Sequence, residues 1–340
     1  MQHKYTISEN AHAVLLPAFA RLKLSSAVTR FLSNGGCSML LGESRNEYVA
    51  RTMNVQRQQQ ESAETFLDVI TAAKNLAGDL IVAVDQEIAG IQRLHKLVAP
   101  FPSSKKFINE PISSFEVVCA DIALQAKQLG INCFLAPILD IVTGPNPWLQ
   151  NRTWSTNVDL ITAYTSAFIR SVQGQGVIAT AKHFPGFSRI LLDPATHIDA
   201  EMITSADEVK ANLRPFIEAI QNHVEMIMTG PAPVNAIDPI KPASLSFPVN
   251  DLLRNKLNFS GVILTDDLDS QATLCHRSLS DCAIEALIVG ADLLLIADIN
   301  NHIDLIVTSI QRAVQTNLLS EQRLRNAAQK VRDLALKYGH

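Results

Sequence analysis

The sequence predicts an α/β fold, a single (β/α)8 TIM-type barrel. Short apolar runs rich in β-branched residues recur along it, longer stretches of helical apolar spacing separate them, and several of the runs end abruptly in charge. The runs at 37–41, 80–84, 133–139, 177–181, 224–228, 262–264 and 293–296 read as strands buried on both faces of a parallel sheet. An eighth strand at 14–16 completes the count, although Pro17 follows at once and has no N–H to give a ladder. Between the runs, Phe66, Val69, Ile70 and Ala73 share one helical face, as do Val117, Ile122, Ala123 and Ala126, and then Ala163, Phe168, Ile169 and Val172. At the end, 320–338 reads as an amphipathic helix with Leu324, Ala328, Val331, Ala335 and Tyr338 on its apolar face. No linker or repeat interrupts this rhythm, so 1–340 is expected to be one domain.

Composition narrows the partners. Hydrophobic residues make up 47% and charged residues 18% of the 340, enough apolar surface for a large core. The formal net charge of -4, with no Lys/Arg cluster, excludes a nucleic-acid or anionic-membrane ligand from the expectations. The N-terminus lacks the basic-then-apolar order of a secretory signal, and no apolar run reaches the length of a membrane span, so a cytoplasmic protein is expected. Cys37, Cys119, Cys133, Cys275 and Cys282 are scattered without a C-x-x-C pair, and the histidines show no metal-ligand spacing; neither a disulfide framework nor a metal or other cofactor is expected. Gly174-Gln175-Gly176 precedes a strand where a dinucleotide fingerprint would follow one. The expected state is a monomer or weak homo-oligomer.

In a parallel barrel all strand C-termini meet at one face, so charged strand ends distant in sequence converge on one pocket. Four runs end this way: in Asp85-Gln86-Glu87, in Asp140, in Lys182-His183 and in Asp266-Asp267. Aspartate, lysine and histidine on one rim supply a nucleophile, a hydroxyl donor and a proton carrier, which suits a polyhydroxylated substrate. Lys182 alone fits a Schiff-base lysine equally well, so chemistry at this stage leaves an aldolase-like barrel open.

The motifs narrow this choice. Lys182-His183-Phe184-Pro185-Gly186, then Asp85-Gln86-Glu87 with Gln92-Arg93-Leu94, and 262–268 with its Thr265-Asp266-Asp267-Leu268 resemble the family 3 glycoside hydrolases, specifically their bacterial β-N-acetylhexosaminidase branch. Gly130-Ile131-Asn132, 136–140, Arg152 and Pro242-Ala243-Ser244-Leu245-Ser246 extend the resemblance in the right order from 36 to 296. It implies a retaining exo-β-N-acetylglucosaminidase of cell-wall recycling, with Asp266 as nucleophile and Asp267 as a structural carboxylate. Asp85, Arg93, Arg152, Lys182 and His183 would grip the hydroxyls and acetamido group of the terminal sugar. The branch uses a loop histidine as acid/base, oriented by an aspartate two residues earlier. Here His197 is the histidine and Asp193 lies four residues before it, with Ala195 at the aspartate's usual place; a looped-out Pro194-Ala195 would let the two meet. The family's double glycine after Asp85-Gln86-Glu87 is replaced by Ile88-Ala89, which adds bulk beside the pocket. The alternative reading is a weakened member that binds sugar without efficient turnover.

Overall fold

The computed structural model describes residues 5–101, 103, 107, 110–297 and 302–339. His3 and His340, two of the histidines without metal spacing, lie outside them. Eight parallel strands, β1 (Leu15–Phe19), β2 (Ser38–Leu41), β3 (Ile81–Val84), β4 (Cys133–Phe134), β5 (Ile178–Phe184), β6 (Met226–Thr229), β9 (Val262–Thr265) and β10 (Leu294–Ile296), pair in the order β10-β1-β2-β3-β4-β5-β6-β9. A parallel bridge between Leu264 and Leu293 joins the last two neighbours and closes the ring. The expected barrel is thus present, and each run read as a strand contributes to it. Every residue of β2, β3, β5, β6, β9 and β10 is buried, because helices cover one face of the ring and interdigitating side chains fill the other.

Two strands show how proline is accommodated. β1 runs through Pro17, pairing with β10 over Leu15 to Pro17 and with β2 over Ala18 and Phe19, so the missing N–H falls where the strand changes partner. β4 is shorter than the run 133–139, because Pro137 interrupts its ladder and an isolated bridge from Ile138 to Lys182 resumes the pairing. A two-stranded antiparallel hairpin, β7 (Pro233–Val234) with β8 (Asp238–Pro242), is inserted between β6 and β9 and was not legible as strand.

The helical spacing holds with local corrections. Helix Ala63–Ala77 buries Phe66, Ile70 and Ala73. Helix Ile112–Gln128 buries Phe115, Cys119, Ile122, Ala123 and Ala126, leaving Val117 69% exposed because it falls off that stripe. Helix Val158–Gly174 buries Phe168, Ile169 and Val172, while Ala163 faces solvent. The last helix, Glu321–Tyr338, is capped by Ser320 and buries all five expected apolar residues, packing beside the N-terminal helix Ile7–Ala13. No helix among the described residues is long and apolar enough to cross a membrane.

Candidate active site

The strand ends do converge. A pocket of about 250 Å³ at the C-terminal face is lined by Glu43 and Tyr48 after β2, Asp85 after β3, Arg152 after β4, Lys182 and His183 on β5, and Asp266, Asp267 and Asp269 after β9. One wall is an ion network. Lys182 Nζ lies 2.8 Å from Asp85 Oδ1 and 2.9 Å from Glu87 Oε1, and Glu87 accepts in turn from Arg152 Nη2 at 2.6 Å and Nε at 3.2 Å. Glu87 is fully buried. Burial alone would raise its carboxyl, but Arg152 and Lys182 outweigh that and hold it well below the usual range. Burial likewise works to discharge Lys182, and Asp85 with Glu87 reverses the effect, so its pKa ends above that of an ordinary lysine. An amine held as ammonium has no lone pair for a carbonyl carbon, which argues against the aldolase-like alternative.

The opposite wall carries the candidate nucleophile. Asp266 Oδ1 accepts from the Asp267 N–H at 2.8 Å, while the Asp266 N–H donates to the Thr229 carbonyl at 3.0 Å. Asp266 Oδ2 is 3.8 Å from His183 Nε2. His183 is itself fixed: its ring Nδ1 is 2.8 Å from Asp140 Oδ2, and its face lies against Trp148 with ring centroids 4.5 Å apart. Asp140, completely buried, also accepts the His183 and Phe187 backbone N–H groups. Asp267, beside Asp266, is pushed well above the usual carboxyl range by burial and then by its neighbour's charge.

Unpaired polar atoms concentrate here. Among the described residues, the buried side-chain atoms without a hydrogen-bond partner include Glu43 Oε2, Arg152 Nη1 and Asp266 Oδ2, all on residues that line this pocket. Buried polar atoms without partners are costly, so three of them on residues around one hollow mark it as the place where polar ligand groups would be accommodated.

Other sequence-predicted residues sit elsewhere. Arg93 is fully buried behind the wall, its guanidinium donating to both oxygens of Glu61 at 2.8 and 2.9 Å and to the Gly42 carbonyl at 2.7 Å. His197 is exposed on the loop after β5 and outside the pocket lining. Its Nδ1 is 2.9 Å from Thr196 Oγ1 and 3.2 Å from the backbone carbonyl of Asp193, whose carboxylate Oδ1 accepts from the Ala195 N–H at 2.9 Å. The extra residues form a turn whose Pro194 carbonyl accepts from Ala272 N–H, so the histidine meets the main chain of Asp193. The two tryptophans that flank Arg152 in the sequence, Trp148 and Trp154, are packed in the core, 3% and 8% exposed.

Ile88 and Ala89 do not line the pocket either. Gly90 supplies the close approach instead: a Cβ there would fall 1.6 Å from Glu87 Oε2. Glu43, Tyr48 and Glu87 were not singled out from sequence as site residues. Glu43 had a signal, because the run at 37–41 ends in Gly42-Glu43 just as other strands end in charge. Among the described residues there is no group of three or more His, Cys, Asp or Glu side chains that could hold a metal ion.

Comparison with known proteins places the chain in a family. The family model of the glycosyl hydrolase family 3 N-terminal domain matches residues 25–334. A β-hexosaminidase from Nitrosomonas eutropha is 29% identical over 257 residues, covering 72% of this chain and 73% of that one. A family 3 β-N-acetylglucosaminidase from Paenibacillus sp. superposes with a TM-score of 0.87 at 23% identity, covering 98% of this chain and 62% of the longer one. A β-N-acetylhexosaminidase from Beutenbergia cavernae superposes with a TM-score of 0.84 at 22% identity over 98% of this chain and 99% of that one.

Proposed function

The chain belongs to glycosyl hydrolase family 3, and from that premise we propose that it is a retaining exo-β-N-acetylglucosaminidase whose nucleophile is Asp266. The observation that carries the reading is one sugar-sized hollow lined by Asp85, Arg152, Lys182, His183 and Asp266, of which Arg152 and Asp266 also carry a buried side-chain atom without a hydrogen-bond partner. A terminal N-acetylglucosamine would satisfy them: hydroxyl and acetamido oxygens accept from Arg152 and Lys182, hydroxyls donate to Asp85, and His183 faces the anomeric side. The Asp267 N–H holds Asp266 Oδ1, which orients Oδ2 for attack on the anomeric carbon. Attack forms a glycosyl ester and expels the aglycone oxygen; water then cleaves the ester, and two inversions give net retention. Arg93 enters this reading indirectly, by fixing Gly42 at the mouth of the pocket. The natural setting we propose is turnover of cell-wall fragments in the cytoplasm.

A chromogenic aryl β-N-acetylglucosaminide tests the proposal. Wild-type protein is expected to release the phenol and give the β-anomer as first product by NMR. Asp266→Asn is expected to lower release on the order of 10³-fold or more. Formation of the α-anomer, or unchanged release by Asp266→Asn, would overturn it. One observation favours the second reading, a sugar binder without efficient turnover: His197 stands outside the pocket. That reading requires saturable binding of N-acetylglucosamine by wild-type protein with no release.

A further inference from the structure

A second cavity, about 750 Å³, opens beside the sugar pocket, and the two share Ala18, Gly42, Glu43 and Ala297. Its other walls carry Phe19 and Leu24 with Arg21 and Lys23, a mixed surface suited to a bulky substituent. If the terminal sugar fills the smaller hollow, the glycosidic oxygen lies where the two spaces meet, with the aglycone beyond. Of the shared residues Glu43 alone has a side chain able to transfer a proton. Its Oε2 is buried and has no hydrogen-bond partner.

We propose that Glu43 is the general acid/base of the site, protonating the departing glycosidic oxygen. This rests on the glycosidase reading above. As Asp266 Oδ2 bonds to the anomeric carbon, the bond from that carbon to the aglycone oxygen breaks. Its electron pair stays on that oxygen, which takes the proton of the Glu43 carboxyl. The resulting Glu43 carboxylate then removes a proton from water as the water oxygen attacks the same carbon. The ester bond breaks, the Asp266 carboxylate returns and Glu43 is again protonated.

The surroundings favour the protonated form of this carboxyl. Burial, then the charge of Asp85, raises Glu43 well above the usual range, with Glu87 adding to them and Arg93 and Lys182 working the other way. Asp267 also faces it, and Glu43 in turn contributes to the upward shift of Asp267. A raised carboxyl and a second carboxyl available for attack, both lining one pocket, are the division of labour that most glycoside hydrolases use. His197, exposed and outside both cavities, does not occupy that junction.

Glu43→Gln, isosteric with the protonated acid, separates the possibilities. With 2,4-dinitrophenyl β-N-acetylglucosaminide, whose leaving group needs no proton, kcat/KM is expected to stay within roughly tenfold of wild type. With an alkyl β-N-acetylglucosaminide it is expected to fall by about 10² to 10⁴. The alkaline limb of the pH profile should flatten, and azide should accelerate turnover of the dinitrophenyl substrate while yielding the β-glycosyl azide. Retained activity on the activated substrate also certifies a folded site. Equal behaviour of Glu43→Gln and wild type on both substrates overturns the proposal, as does transfer of the whole pattern to His197→Ala. Wild-type protein inactive on both substrates overturns the glycosidase reading itself, and the role of Glu43 falls with it.

Discussion

At the residue scale, Asp140 shows how a group that touches no substrate can set the geometry of one that does. Its Oδ2 accepts from the His183 backbone N–H at 3.0 Å and meets the ring Nδ1 at 2.8 Å, while Oδ1 accepts from Phe187 N–H at 2.6 Å. With a proton on Nδ1, the other ring nitrogen presents its lone pair toward the pocket, the tautomer a carboxylate partner selects. Asp140→Asn can turn only one oxygen to these donors, so its amide N–H₂ must confront a donor in a fully buried site. The expected result is a loss of about 1–3 kcal/mol in stability by chemical denaturation, with kcat/KM on the aryl glycoside reduced about tenfold or more as His183 reorients. Unchanged stability would show that Asp140 is not anchoring the imidazole. Asp85, Lys182, His183 and Asp266 were legible because each ends an apolar run in charge, which in a parallel barrel means the rim. Arg93 was legible as a motif member but not as a buried one, because its partner Glu61 lies 32 residues earlier, in a segment with no apolar pattern to place it.

At the scale of elements, Glu61 ties three segments together. It sits between helices Val55–Gln60 and Ala63–Ala77, and it accepts from Arg57, from both terminal nitrogens of Arg93 and from His95, so the entry to one helix is bolted to the loop after β3. Burial opposes the charge on Glu61, yet hydrogen bonds from His95 and Arg93 with the Coulombic pull of Arg93 and Arg57 lower its pKa from 4.5 to about 2. Because the folded-state value is the lower one, the stabilisation is complete above the unfolded value and disappears as pH falls through the folded one. Glu61→Gln is therefore expected to be less stable than wild type at pH 7 by roughly 2 kcal/mol after solvent screening. The difference should shrink between about pH 5 and pH 2, as followed by urea denaturation at a series of pH values. A difference independent of pH would assign the loss to packing instead of charge. Elements of this kind were hard to read from sequence: the hairpin β7–β8 contains Pro233, Pro239 and Pro242, and its pairing depends on Met202 reaching Val234 from a distant loop. The turn geometry between Asp193 and His197 includes the hydrogen bond from Ala272 N–H to the Pro194 carbonyl, which no local pattern announces.

At the scale of the whole molecule, the barrel separates chemistry at one end of its strands from stability at the other. The rhythm of apolar runs made the closed ring legible, since burial on both faces needs residue types that composition alone displays. What that rhythm does not show is how the opposite end is sealed. There Asp292, just before β10 and 2% exposed, lies 2.5 Å from Arg254, 3.2 Å from Arg323 and 3.7 Å from Lys330, and it accepts the Ile263 N–H at 3.1 Å. The segment after the hairpin, the start of β9 and the last helix are thereby held by one carboxylate. Asp292→Asn removes the charge that compensates these cations and leaves them about a quarter to a third exposed, with no other carboxylate at that point among the described contacts. The cost is expected at the low end for a broken buried pair, on the order of 3 kcal/mol, because the partners retain some solvent. The pocket lies at the far end of β9 and β10, so kcat and KM per folded molecule should remain those of wild type, while the denaturation midpoint falls. Parallel urea titration and steady-state kinetics at a temperature where both proteins are folded check this. A drop in kcat at full folding would mean that the two ends of the barrel are coupled through these strands.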